Sequence, residues 1–376
     1  MSVSSISLAN KNILWGKSAG RCQFRGCNTS LYLNDVTKAE FNQSYIAHIV
    51  ADVPGGPRGH ATRSDLLKDD LSNLMLLCDQ HHRLIDKVDV AGHPESLLLE
   101  MKKEHEDRIE KVSAIGLNMH SHILVYRANV GSHTPEISYE TARTYLLPNR
   151  YPAMSSAIDL GLTNSPQRDK NNTFWATELE NLTTQYEEQV RPKLRKGEIK
   201  HLSIFAFAPM PLLIKLGTLV NDIHDAEIHQ PVRNPKTWNL DDSNTITTYN
   251  VAYPSEKQPT VALNISLSAT INIDRIQNAL GTECSVYTIS IDSPFNDFLK
   301  SKKQLQEFSV VYRRLLNEIK ANYNANTPLH IFPAMPVAIA IEMGRAWMPK
   351  ADMPLLIYDE NTANSGFFKA VEITNT

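Results

Sequence analysis

Apolar residues along the chain follow a helical period in some segments and form short continuous runs in others. In residues 93–112 they recur every three or four positions and most other positions are charged, which predicts an amphipathic helix. Short apolar runs bounded by Gly, Pro or Asn predict strands. One such run ends at His48, where a loop rich in Gly, Pro and Arg begins. The pattern therefore predicts strands in the N-terminal part, closed by an amphipathic helix.

Two segments of the C-terminal part repeat one order of elements. Residues 201–231 predict a strand, a loop ending at Met210-Pro211, an apolar helix containing Gly217, and a second strand. Residues 328–359 predict the same order, with Met335-Pro336 in the loop and Gly344 in the helix. Alternating strands and helices form parallel βαβ units. We therefore expect two Rossmann-like halves, with a ligand in the crevice at the carboxyl ends of the strands.

The length of the chain and the changes in its residue pattern predict a multidomain α/β protein. A chain of 376 residues exceeds what one hydrophobic core usually supports. The pattern changes after the amphipathic helix, and we expect an N-terminal domain at 1–115, a connector at 116–145 and a C-terminal domain at 146–376. Neither loop before the apolar helices carries a GxGxxG pattern or a Walker lysine, so ordinary NAD or ATP binding is unsupported.

The composition of the chain indicates the cellular compartment in which the protein is expected. The N-terminus lacks the apolar stretch of a signal peptide, and no run approaches the length of a membrane span. Three of the four cysteines lie in the first eighty residues, which predicts metal ligands in a reducing cytoplasm. The fourth, Cys284, lies in a strand-like run and is expected in the core. A net charge of −3 gives no overall basic signature of nucleic-acid binding.

The clustered cysteines predict a structural zinc site. The pattern C-x4-C followed by C-x2-H pairs Cys22 with Cys27 and Cys78 with His81. Zinc favours four tetrahedral thiolate or imidazole ligands, and two short-spaced pairs brought together by a fold supply them. A second histidine, His82, follows directly and is a candidate functional residue on the rim of this cage.

The order His48, Asn73, His82 around a zinc motif resembles the HNH endonuclease family over roughly residues 10 to 112. The resemblance implies a ββα-metal finger that hydrolyses phosphodiester bonds. It implies that His48 is the general base, that Asn73 holds the loop orienting that base, and that His82 binds a catalytic divalent cation, Mg²⁺ or similar. An imidazole with a pKa near neutrality suits the activation of water.

This chain departs from the common HNH pattern at the metal. Many members have an aspartate before the first histidine, and here that position is Ala47. The remaining ligands are therefore left open among Asp52, His60, Asp86, or waters and substrate phosphate alone. Contacts to DNA phosphates would come from the basic residues around the site, for which the candidates are Arg58 and Arg83.

Behind an HNH domain, the C-terminal part resembles the SAVED domain. The matching features are F-A-P-M-P-x5-G, F-P-A-M-P-x7-G and the segment VRNPKTW. The resemblance implies two fused CARF-like halves that bind a cyclic di- or trinucleotide, and ligand-driven homo-oligomerisation. It also implies degradation of double-stranded DNA in bacterial anti-phage defence (CBASS). Cations and aromatic rings suit such a ligand, and the candidates are Lys215, Arg233, Trp238, Arg345 and Trp347.

Two other functions fit the same residues. The chain could be an ungated HNH restriction-type nuclease whose C-terminal domain reads DNA, although residues 120–376 are not conspicuously basic. It could also be a zinc-stabilised nucleotide sensor without catalysis, which Ala47 favours. Retention of His48, Asn73 and His82 together favours the enzyme.

Overall fold

The computed structural model describes residues 6–162, 165–361 and 366–374. The chain divides into two compact units, Met1–Gly116 and Leu117–Thr376, which are taken separately here. Within the described residues, no helix is both long and apolar enough to span a membrane.

The first unit is a two-stranded antiparallel sheet packed with helices. The strands pair so that His48 lies opposite Leu74, and their apolar residues form one core with those of the flanking helices. The predicted amphipathic helix is confirmed and buries Leu98, Met101 and His105. The elements are α1 (Leu8–Ser18), β1 (Ser44–His48), α2 (Arg63–Leu67), a 3₁₀ turn (Leu71–Asn73), β2 (Leu74–Cys78), α3 (Asp79–Arg83), a π-helical turn (Leu84–Val88) and α4 (Glu95–Ser113).

The second unit alternates strands and helices along its whole length, as the sequence pattern predicts. Its first part contains β3 (His120–Arg127), α5 (Tyr139–Thr144), β4 (Tyr151–Pro152), β5 (Ile158–Asp159), α6 (Asn172–Gln189), α7 (Arg191–Arg195), β6 (Leu202–Phe207), α8 (Met210–Val220) and β7 (Ala226–His229). Its second part contains β8 (Asn250–Ala252), β9 (Thr260–Ser266), α9 (Ile273–Leu280), β10 (Cys284–Ser290), α10 (Lys302–Asn322), β11 (Leu329–Ala334), α11 (Val337–Ala346), β12 (Leu355–Asn361) and β13 (Gly366–Ile373).

The two sheets of this unit share one strand order. In the first sheet the order is β4-β3-β6-β7, with β5 also on β3; in the second it is β13-β12-β11-β9-β10-β8. In each half a central strand, β3 or β9, has the next strand of the chain on one side (β4 or β10) and two later strands on the other (β6 and β7, or β11 and β12). These pairings are parallel, and only β8 and β13 are antiparallel additions. The strand order of the two sheets confirms the prediction of two Rossmann-like halves.

The repeated helices α8 and α11 pack on each other through their glycines. A methyl group on Gly217 would overlap the carbonyl oxygen of Ile341, and one on Gly344 would overlap that of Ile214. Each glycine thus faces the carbonyl three residues before the other glycine, a reciprocal contact between the halves. The small residues let two helix backbones approach closely, which explains why both repeats carry a glycine there.

The predicted connector at 116–145 is wrong, because it contains the first strand of the sheet. β3 pairs with β4, β5 and β6, and residues 123–126 of it are buried. A strand covered on both faces is a continuous apolar run, and ILVY is such a run. Cys284, expected in the core, begins β10 and is buried.

Candidate functional site

The first unit gathers the four predicted zinc ligands into one cluster. The Sγ atoms of Cys22, Cys27 and Cys78 and a ring nitrogen of His81 all lie within 4.8 Å of one another. His81 Nδ1 is 3.1 Å from Cys78 Sγ and 3.8 Å from Cys22 Sγ. Zinc–sulfur bonds of about 2.3 Å and zinc–nitrogen bonds of about 2.0 Å imply ligand–ligand distances of roughly 3.5–3.8 Å in a tetrahedron. The donor set and its spacing therefore fit a structural zinc ion.

Backbone turns and one buried amide position this cluster. Gly26 and Asn28 have φ of 83° and 54°, which lets the C-x4-C segment turn tightly around the thiols. The Gln23 N–H donates to the carbonyl of Leu76, and the Leu76 N–H donates to Gln23 Oε1. The first cysteine pair is thus fastened to β2, the strand that ends at the second pair. Phe24 stacks on His81 with 4.1 Å between ring centroids and fixes the plane of that ligand.

His48 lies at the end of β1 and is 7% exposed. Its Nε2 is 2.8 Å from the carbonyl oxygen of Lys68. A carbonyl oxygen only accepts, so Nε2 carries the proton and the neutral ring keeps its lone pair on Nδ1. The fold therefore presents Nδ1 as the nitrogen able to take a proton.

Asn73 holds the segment that follows His48. Its Oδ1 accepts from the Val50 N–H at 2.7 Å, and its Nδ2 donates to the Val50 and Leu67 carbonyls at 2.8 and 3.2 Å. The side chain is buried, with 3% exposed, so it has no room for another conformation. These contacts hold the loop that follows β1 in place.

His82 is partly exposed and faces a carboxylate. It stacks on Tyr45 with 4.9 Å between centroids, and its Nε2 is 3.3 Å from Asp86 Oδ2. Burial opposes ionisation of Asp86, but hydrogen bonds from His82 and Arg58 outweigh it and hold the pKa of that carboxyl below its usual value. Among the alternatives left open by the sequence, Asp86 lies against His82. His60 instead accepts from the backbone of Thr62 through its Nδ1.

Arg58, predicted to contact DNA, lies inside the unit instead. Its side chain is 7% exposed, and its guanidinium donates to the carbonyls of Ile49 and Ile85 at 2.6 and 2.7 Å and to Asp86 Oδ1 at 2.6 Å. The prediction is wrong because the Gly-Pro-rich loop folds inward, so the N–H groups of the Arg58 guanidinium are hydrogen-bonded inside the unit. Arg58 ties the end of β1 to the turn that carries Asp86. Arg83, the other predicted DNA contact, is 64% exposed and pairs with Asp79.

Two of the five ligand-pocket candidates donate hydrogen bonds to backbone carbonyls. Trp347 is 4% exposed, and its Nε1 donates to the Met353 carbonyl at 2.9 Å. The Arg345 guanidinium donates to the Asn221 and His224 carbonyls at 3.1 and 3.0 Å, which closes the end of α8. The prediction for Trp347 is wrong because its ring is buried and its donor is used, whereas Arg345 also lines a cavity of about 760 Å³ and its ligand role stays a prediction.

The other three candidates do not form one group. Lys215 is partly buried on α8, and burial lowers the pKa of its ammonium group. Arg233 lies in a loop closed by the pairing of Val232 with Thr237, and Trp238 directly follows that loop. The Arg233 side chain is exposed, whereas Trp238 packs edge-on against Phe205 at 5.6 Å between centroids.

A buried carboxyl that the sequence does not reveal lies in the second unit. Glu178 on α6 is 1% exposed, and burial raises its pKa to about 7. It lines a cavity of about 230 Å³ at the carboxyl end of β3. In the sequence Glu178 looks like one of several acidic residues on a solvated helix face, so only the packing identifies it.

The strand order and reciprocal helices define a two-lobed α/β protein of duplicated Rossmann-like halves. Residues 182–373 match the model of SAVED, the SMODS-associated and fused to various effectors sensor domain. Since the match spans slightly more than half of the 376 residues, the chain belongs to the SAVED family. The resemblance drawn from the two Met-Pro segments is thereby confirmed. The first unit lies outside the matched residues.

Solved structures similar to this chain are also SAVED/CARF-domain receptors. Acinetobacter baumannii Cap4 with the cyclic trinucleotide 2′3′3′-cAAA is 11% identical, with a TM-score of 0.44 over 83% of this chain and 62% of that one. The same receptor with 3′3′3′-cAAA gives 11%, 0.45, 84% and 72%. Moraxella osloensis Cap4 gives 10%, 0.42, 83% and 70%. This chain thus spans less than two thirds of the first of these receptors. Among curated proteins, none matches it significantly.

Proposed function

We propose that this protein is a metal-dependent DNA endonuclease of the HNH type, controlled by a cyclic oligonucleotide that binds its SAVED part. The observation that carries the proposal is the grouping in one small unit of His48, Asn73 and the His82–Asp86 pair on a finger built around a Cys₃His cluster. The finger has two antiparallel strands followed by a helix, the order that a ββα-metal finger requires. The protein then acts in bacterial anti-phage defence of the CBASS type, in the cytoplasm.

The residues of the first unit divide the work of phosphodiester hydrolysis. His48 Nδ1 takes a proton from the attacking water while Nε2 keeps its bond to Lys68, so the ring does not rotate when it becomes charged. Asn73 and Arg58 hold the backbone that directly follows His48. His82 and Asp86 would hold a divalent cation such as Mg²⁺, which when bound stabilises charge on the phosphate and the leaving oxygen. Zinc in the Cys₃His cluster would act structurally, by fixing β2 and α3.

The SAVED match in the second unit supports control of the nuclease by a ligand. A sensor domain in the same chain gives the nuclease a way to remain inactive until a messenger appears. The ligand is a cyclic di- or trinucleotide, and its binding drives protomers to assemble so that the HNH units cleave double-stranded DNA. Arg233 and Trp238, which lie in and directly after one loop, remain candidates for contact with this ligand.

Substitution of His48 tests the catalytic assignment. We expect His48→Ala to lower messenger-stimulated plasmid cleavage by about 100-fold or more, because a general base commonly contributes that much. His224→Ala, which removes an imidazole from the other unit, is the matched control and should retain cleavage. Ligand-driven assembly, followed by light scattering, should persist in both variants. Cleavage by His48→Ala at the wild-type rate would exclude His48 as the base, and loss of assembly would show that His48 is structural.

A further inference from the structure

A cavity of about 230 Å³ lies at the carboxyl end of β3, the first strand of the second unit, in residues that precede the SAVED match. Its lining includes Arg127, Asn129, Thr134 and Glu178. Sites that enclose whole drug-sized ligands measure about 300–1,000 Å³. This cavity is therefore suited to one part of a larger molecule.

Within the described part of the chain, Glu178, which lines the cavity, has a buried carboxyl oxygen without a partner. Among the described residues, none hydrogen-bonds to Glu178 Oε2 or to the hydroxyl of Tyr126, although both atoms are buried. Burial raises the pKa of Tyr126 and the Glu178 charge raises it further, so the two groups act on each other electrostatically. An unsatisfied buried carboxyl is costly, and a native structure that retains one needs an explanation such as a bound molecule. The atoms that would satisfy Glu178 are hydrogen-bond donors.

The position of the cavity in the sheet is where parallel α/β folds bind ligands. β3 has β4 and β5 on one side and β6 on the other, so the strand order reverses at β3. The Ala128 N–H donates to the Phe207 carbonyl at 3.2 Å, which brings the carboxyl ends of β3 and β6 together. Ligands of open α/β sheets lie in the crevice outside such a reversal. Of the cavity residues, Arg127 ends β3, and Ala128 and Asn129 directly follow it.

We propose that this cavity holds a guanine base of the activating oligonucleotide and that the Glu178 carboxylate accepts hydrogen bonds from its N1–H and N2–H₂ groups. The proposal rests on the proposed function, since it names the base that the messenger presents. Guanine is the standard base with two adjacent N–H donors on one edge, the pattern that complements a carboxylate. Arg168, whose guanidinium donates to Thr134 at 2.8 Å, brings a positive charge to the same rim, where a phosphate of the ligand would lie.

The ionisation of Glu178 supports the same assignment. Burial alone raises its pKa to about 7, so without ligand the carboxyl is close to half protonated at neutral pH. Two donors from a base favour the ionised form, and binding is then accompanied by release of a proton. A carboxyl that merely fills space would release none.

Titration calorimetry on the full-length His48→Ala protein tests this subsite without cleavage. The probes are cyclic di-GMP, cyclic GMP–AMP, cyclic di-AMP and cyclic tri-AMP. We expect a guanine-containing probe to bind, and Glu178→Gln to weaken that binding by about ten-fold or more, since one base-edge pair is worth that much. Glu180→Gln, on the exposed side of the same helix, is the matched control and should bind as before. Buffers of different ionisation enthalpy should show proton release that disappears in Glu178→Gln.

The outcomes separate this inference from the proposed function. If a probe without guanine binds and guanine-containing probes do not, or if Glu178→Gln binds a guanine probe unchanged, the base assignment is overturned and the gated nuclease stands. If no probe binds the protein, the sensing proposal fails and this inference fails with it. Thermal denaturation of Glu178→Gln verifies that the isosteric variant is folded.

Discussion

The imidazole of His48 is held on one side by a backbone carbonyl and left with a basic nitrogen on the other. Its neighbours are fixed in the same way, because Asn73 and Arg58 spend their donors on backbone carbonyls around it. The local order thus comes from a few buried polar side chains, each with its hydrogen bonds made inside the unit. Such groups are costly to disturb, since removing one partner leaves the other buried and unsatisfied.

The zinc cluster leads to a prediction that separates metal ligands from other cysteines. We expect the purified protein to contain about one zinc per chain, and Cys78→Ser to lose it and unfold the first unit, because a structural zinc site supplies folding free energy. Cys284→Ser, at a buried strand position in the other unit, should keep the zinc. The measurement is metal content by mass spectrometry together with a thermal melt. Full zinc content in Cys78→Ser would mean that this thiol is not a ligand.

Some of the site residues could be predicted from the sequence, and others could not. The zinc cluster is predictable because ligand spacing is local, and two short pairs have few other uses. Arg58 and Trp347 were misassigned because a basic residue in a Gly-Pro loop and a tryptophan after a helix look available for ligands. Whether their donors are free depends on distant carbonyls, such as that of Ile85 for Arg58, and no local pattern records those contacts.

In the second unit, the two halves contact each other where α8 packs on α11. Each helix presents a glycine to the backbone of the other. The two helix backbones are therefore in direct contact, with no side chain between them at this point. This contact also explains why the repeated segments could be found in the sequence. The close approach requires a glycine in each helix, and the strand before and the strand after keep their order in both halves.

Enlarging either glycine should therefore destabilise the unit. We expect Gly217→Ala or Gly344→Ala to lower the free energy of unfolding by about 3 kcal/mol, because overpacking here forces helix backbones apart rather than a flexible side chain. Gly16→Ala, in α1 with no heavy atom within 4 Å of the added carbon, is the control and should stabilise its helix by up to about 1 kcal/mol. Urea denaturation measures all three. An unchanged unfolding midpoint for Gly217→Ala would contradict the close helix contact.

The misplaced connector shows the limit of element prediction. β3 contains an apolar run typical of a strand, yet its place at the centre of a sheet depends on pairing with β6, more than seventy residues later. Long-range pairing of parallel strands leaves no local signal, so the element could be predicted and its neighbours could not.

At the scale of the whole molecule, the chain joins two units with separate cores. One carries a candidate hydrolytic site around a Cys₃His cluster, and the other is a SAVED domain of two duplicated halves. The α/β class of the second unit and the Cys₃His cluster of the first follow from the sequence, because periodicity and ligand spacing are properties of short segments. The ligand cavity did not follow, because Glu178 is distinguished from other acidic residues on its helix only by burial.

The most direct test of the central claim is plasmid cleavage by the purified protein with magnesium, with and without a panel of cyclic di- and trinucleotides. The panel includes 2′3′3′-cAAA and 3′3′3′-cAAA, the ligands in the two Acinetobacter structures. We predict that DNA is degraded only when one messenger is present, and that EDTA abolishes cleavage. Cleavage at the same rate without any messenger would contradict control by the SAVED unit. Intact plasmid in the presence of a messenger that demonstrably binds would contradict the nuclease.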